Sequence, residues 1–148
     1  MDALPAPAAP PPAPAPATRA RRLLAPLGTL AGVAAAFTYV GLVDPNESGH
    51  YPVCPLLSMT GFYCPGCGGL RSAHAVAHGD IAAALGSNAL AVVGYAIFAV
   101  VWLMWLILVV RGTRPRVSVP PFSGWAVGAV VVVFMVVRNL PFGSSLAP

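Results

Sequence analysis

Residues 89–110 read ALAVVGYAIFAVVWLMWLILVV, 22 positions without a charged side chain. As a helix such a run is about 33 Å long, enough to cross a hydrocarbon core of about 30 Å. Working outward, residues 23–43 form a second uncharged run of 21, preceded by Arg19, Arg21 and Arg22. A third apolar run covers 122–141, with Arg138 and Asn139 near its end. Its core, Val130 to Val133, would suit a strand in water. Beside two apolar neighbours, a segment that satisfies its own backbone in lipid is a helix. The expected fold is therefore an all-α membrane protein with three transmembrane helices, about 23–43, 89–110 and 122–141. They belong to one membrane domain, 19–142, followed by a short tail at 143–148.

Composition agrees with this reading. Of 148 residues, 57% are hydrophobic and 8% charged, whereas soluble domains carry about 25% charged residues. The net charge is +4, but all eight basic residues are arginines and none forms a dense basic face. Nucleic-acid binding is thereby excluded. Residues 1–18 hold seven Pro, seven Ala and a single charge, Asp2. This composition predicts a disordered, polyproline-like tail. The apolar run that follows is longer than the 7–15 residues of a signal-peptide core, so it reads as a retained span. Pro26 is expected in its first turn, where a missing N–H costs little.

Arginine placement sets the orientation. The N-terminal side carries Arg19, Arg21 and Arg22, and the 111–116 loop carries Arg111, Arg114 and Arg116. The opposite side has only Arg71 and Arg138, together with Asp44, Glu47 and Asp80. The positive-inside rule puts the N-terminus in the cytoplasm of a multi-pass protein of the cell membrane, with residues 44–88 on the extracytoplasmic side. Trp102, Trp105 and Trp125 then read as interface anchors near the 111–116 loop.

The three cysteines of the chain, Cys54, Cys64 and Cys67, lie within 14 residues of one another. Cys64-Pro65-Gly66-Cys67-Gly68 is the knuckle form used by tetrahedral metal sites. Proline fixes the entry φ, and the glycine after the second cysteine permits a positive φ. A short extracytoplasmic or interfacial helix is expected from about Gly69 to Leu85. At about 100° per residue, Cys67, Arg71, His74 and His78 fall within about 60° of one another on it. His74 and His78, at i and i+4, can share an ion. The candidate metal ligands are thus Cys54, Cys64, Cys67, His74 and His78, with zinc or another transition metal as the ion. Two other accounts stand beside this one. A disulfide would staple Cys54 to one of the pair on the oxidising side of the membrane. Alternatively, Cys64 and Cys67 form a redox dithiol whose thiolate is favoured by a helix N-terminus and by Arg71. No second Cys-x-x-Cys and no βαβ pattern accompanies them. Arg71, Asp80, Asn88 and Arg138 read as structural. An Asp80–Arg138 contact, or one to Asn88, would lock the short helix onto the third span; otherwise Arg138 snorkels to the headgroups.

At these residues the chain resembles a small bacterial membrane-protein family known as a domain of unknown function, family 2752. That pattern is C-P, then C-P-G-C-G-x-T-R-A, a G-D pair, and N-P. Here it corresponds to Cys54-Pro55, Cys64-Pro65-Gly66-Cys67-Gly68, Arg71, Gly79-Asp80 and Asn88. The chain departs from it at Leu70, Ser72 and Ala89, where Thr, Ala and Pro are usual. The resemblance implies membrane location and a common fold, and brings no activity with it.

No Ser–His–Asp set, paired carboxylates or phosphate-binding glycine loop is present, so no catalytic constellation supports an enzyme reading. The expected function is a non-catalytic membrane module whose cysteine segment is a structural clasp or metal site. The alternative is a thiol–disulfide or metal-handling component of a membrane complex. The expected partners are the bilayer and another membrane protein. After reduction, a membrane-impermeant thiol label on intact cells should reach Cys54, Cys64 or Cys67. Labelling only after the inner face is opened would overturn the orientation.

Overall fold

The computed structural model describes residues 19–47, 49–113 and 120–147. The 1–18 tail, Arg114 and Arg116 lie outside the described residues. Five α-helices follow in order: α1, Arg19–Leu42; α2, Pro55–Thr60; α3, Gly69–Ala77; α4, Ile81–Val110; and α5, Ser123–Arg138. A 3-10 turn, Pro141–Leu146, closes the described chain. Among the described residues there is no strand.

Two helices, α1 over Ala20–Leu42 and α4, are long and apolar enough to cross a membrane. Their outward faces carry large apolar side chains such as Leu24, Leu27, Val101 and Met104, all more than half exposed. The buried positions include Val40, Pro26 and Cys67 together with small or polar residues: Ala73, Ala84, Ser72, Asn88 and Arg138. Large apolar side chains outward and polar ones inward are what two helices of membrane-crossing length would present to lipid. The third apolar segment is shorter than expected. Regular helix stops at Arg138 because Asn139 caps α5, with its N–H on Val136 and Val137 carbonyls, and Pro141 has no N–H to continue the ladder.

α1 starts at Arg19, so Pro26 lies two turns inside the helix instead of in its first turn. Pro26 is buried, and its carbonyl accepts from Trp102 Nε1 at 3.0 Å. Trp102 thus ties α4 to α1 rather than serving only as an interface anchor. Phe37 and Tyr95 meet edge to face, at a centroid separation of 5.4 Å, further along the same pair.

The helix expected over 69–85 is divided at Gly79. Here φ is +78°, and the Asp80 N–H reaches the Ala75 carbonyl while the Gly79 N–H reaches Val76. This pair of bonds is the Schellman closure of α3. Asp80 then opens α4, its carboxylate accepting from the Ala83 N–H at 2.8 Å. The backbone of Asn88, at φ −163° and ψ 94°, leaves the helical region and breaks α4. Asn88 Oδ1 accepts from the Ala91 N–H at 2.9 Å, so the apolar piece from 89 to 110 has its own N-cap. α3 packs on both α4 and α1, with the Gly41 backbone against Ala77.

An added Cβ at Gly79 would meet nothing within 4 Å, so only backbone conformation opposes a side chain there. Gly79→Ala should therefore cost about 1–2 kcal/mol, measurable as a lowered unfolding midpoint in detergent. An unchanged midpoint would show that the left-handed turn between α3 and α4 is dispensable.

Candidate metal centre

The Cys loop is built from two short turns. Cys54, in extended conformation, caps the N-terminus of α2, and Pro55 occupies the first helical position. Ten residues on, the Cys67 N–H bonds the Cys64 carbonyl at 3.1 Å and the Gly69 N–H bonds Gly66 at 2.9 Å. Gly68, at φ +78°, turns the chain into α3. These turns bring the sulfurs of Cys54, Cys64 and Cys67 within 4.8 Å of one another. The Cys64 and Cys67 sulfurs are 3.1 Å apart, and all three cysteines are free thiols.

Irregular backbone removed from water needs partners for its carbonyls. Three side chains provide them. Asn88 Nδ2 donates to the carbonyls of Pro65 and Cys67, each at 2.9 Å. Arg138 Nη1 donates to those of Cys64 and Cys67, at 3.0 and 3.1 Å. Asn139 accepts from the Tyr63 N–H and donates to the Tyr63 carbonyl, both at 2.9 Å. The Arg138 guanidinium lies 5.0 Å from the Phe134 ring centre and 5.7 Å from that of Tyr63. Arg138 is 1% exposed. It therefore does not snorkel, and among the described residues it makes no ion pair with Asp80, whose carboxylate caps α4.

The histidines are placed differently from the cysteines. His74 Nδ1 lies 2.8 Å from the Val40 carbonyl of α1, and its Nε2 lies 3.9 Å from Asp44. His78 follows α3 as its cap, with Nδ1 on the His74 carbonyl at 2.9 Å. The two ring centres lie 4.3 Å apart, tilted by 36°, but neither joins the sulfur group among the described residues. Helical periodicity placed His74 and His78 together correctly, while their distance from the knuckle depends on how α3 docks on α1. Arg71 is exposed on α3.

The thiols are electrostatically unequal. Cys54, facing the N–H of Leu57 and receiving hydrogen bonds from Cys64 and Cys67, is held down to about 7. Burial, aided by hydrogen bonding to the other two thiols, pushes Cys67 up to about 12. The helix N-terminus that lowers a thiol is thus that of α2, acting on Cys54. The sequence reading assigned that effect to the Cys64–Cys67 pair. Sequence reasoning also missed Asn139 and Tyr63, whose only signal was a polar residue adjoining Arg138 at the end of an apolar run.

Fold and loop together define a helical protein with two membrane-length helices and a clamped group of three cysteines. Residues 54–102 match the family model described as "Protein of unknown function (DUF2752)", the family that the cysteine pattern resembles. No curated protein and no solved structure matches the chain.

Alkylation should report the inequality of the thiols. Cys54 modification by iodoacetamide should rise through about pH 7, with Cys67 the last to react; peptide mass spectrometry would overturn this if Cys67 reacted first. Asn88→Ala, which removes two donors and a cap, should cost about 2–3 kcal/mol. Asn88→Asp keeps the cap yet loses both donors, so it should fail to restore stability in the same unfolding assay.

Proposed function

We propose that this protein is a small multi-pass membrane module whose extracytoplasmic cysteine loop is a metal clasp. The observation that carries this reading is the approach of three free sulfurs to within 4.8 Å. Tetrahedral sulfurs on a metal at about 2.3 Å stand about 3.8 Å apart, so small side-chain rotations suffice to bind an ion. Three soft thiolates favour zinc or a similar thiophilic ion over magnesium or calcium. Three protein ligands also leave a fourth tetrahedral position for water or an exchanging ligand. The reading extends to topology. α5 is about 24 Å long at 1.5 Å per residue, and with the following 3-10 turn it forms a third crossing. The arginine asymmetry then sets the N-terminus in the cytoplasm. The bilayer and a second membrane protein are the partners, the exchangeable metal position being the point of contact with the latter.

The 3.1 Å separation of Cys64 and Cys67 favours one alternative, a redox dithiol. In it, the pair closes to a disulfide and Cys54 remains as the neighbouring thiol. Cobalt titration of the reduced, purified protein separates the two. The clasp gives one cobalt per chain with a sulfur-to-metal charge-transfer band, weakened alike in Cys54→Ser, Cys64→Ser and Cys67→Ser. The dithiol gives no stoichiometric band, and exchange with glutathione that survives Cys54→Ser.

A further inference from the structure

Among the described residues, Arg138 is a buried cation without a carboxylate partner. Its Nε and Nη2 have no hydrogen-bond partner among the described residues, and Nη1 is spent on the carbonyls of Cys64 and Cys67. The acidic groups of the described chain are occupied or remote. Asp44 binds Asn46 and faces His74, Asp80 caps α4, and Glu47 is exposed. The Phe134 and Tyr63 rings attract the guanidinium, but they carry no net charge. An isolated guanidinium at the end of an apolar helix is costly to bury, and such residues mark functional sites.

We propose that Arg138 is the countercharge of a tris-thiolate site for a thiophilic divalent cation, formed by Cys54, Cys64 and Cys67. This rests on the metal reading above. Binding replaces three S–H bonds with three metal–sulfur bonds and releases three protons to solvent. Three thiolates and a divalent ion leave one negative charge, which the guanidinium beside two of the three ligands neutralises. Among the described residues, the buried charge without a carboxylate and the sulfur cluster without a fourth ligand thus account for each other. Partners of this kind around a metal site typically alter affinity by about 10–100-fold.

The test is cobalt and zinc titration of the reduced full-length protein in detergent, comparing wild type with R138K, R138Q and R138M. Charge neutralisation predicts that R138K stays within about tenfold of wild type while R138Q and R138M weaken zinc binding about 10–100-fold. It also predicts that their cobalt charge-transfer intensity falls by about one third, as one sulfur stays protonated to keep the site neutral. A purely structural clamp on the carbonyls predicts the reverse order, because Gln keeps a planar amide donor and Lys does not. R138Q binding as tightly as wild type, with full band intensity, would overturn the proposal while leaving the metal reading intact. Absence of any cobalt band in the wild type would overturn both. Thermal unfolding of the metal-free variants identifies any that fail to fold, and R138K and R138Q then decide without R138M.

Discussion

The carbonyl of Cys67 accepts two side-chain hydrogen bonds, from Asn88 at 2.9 Å and from Arg138 at 3.1 Å. Asn88 stands at the break in α4 and Arg138 at the end of α5, so one oxygen joins two helices to the Cys loop. The loop has little regular structure of its own between Gly61 and Gly68, and in an apolar surrounding its orphan carbonyls would each cost about 1–3 kcal/mol. Asn88, Arg138 and Asn139 remove that cost at four positions of the loop, the carbonyls of Tyr63, Cys64, Pro65 and Cys67. The same loop holds the three sulfurs within 4.8 Å of one another.

This clamp also explains why polar residues occupy the interior. Asn88 serves two segments at once, capping the apolar part of α4 with its oxygen while its nitrogen binds the loop. Tyr95 and Ser72 make a smaller version of the same arrangement, both hydroxyls donating to the Gly69 carbonyl at the start of α3. α3 is thereby fixed at its N-terminus to α4 and, through His74 and the Val40 carbonyl, to the end of α1. Lipid supplies little hydrophobic drive between helices, so such hydrogen bonds and close small-residue packing do the joining.

Much of this was legible in the sequence. The apolar runs, the break at Gly86-Ser87-Asn88 and the knuckle at Cys64–Cys67 depend on local pattern, and each corresponds to a feature of the structure. Convergence of Cys54 on the knuckle was legible too, because Pro55 and a short connection favour folding back. The partners of Arg138 and Asn139 were not. They lie more than 70 positions away, and no periodicity or charge pattern reports a side chain bonding to a distant carbonyl. The Asp80–Arg138 pairing failed for the same reason: opposite charges suggested it, while Asp80 caps α4 and Arg138 binds the carbonyls of Cys64 and Cys67. The histidines shared a face of α3 as expected, yet tertiary docking turned His74 to α1 rather than to the sulfurs.

The shared Cys67 carbonyl is tested most directly by a double-mutant cycle on Asn88 and Arg138, read by equilibrium unfolding of the metal-free protein. If both side chains hold one oxygen, loss of either is buffered by the other. The Asn88→Ala, Arg138→Met double variant should then lose about 0.5–3 kcal/mol more than the sum of the singles. Strict additivity, within about 0.5 kcal/mol, would contradict a common acceptor and with it the account of how the cysteine loop is held.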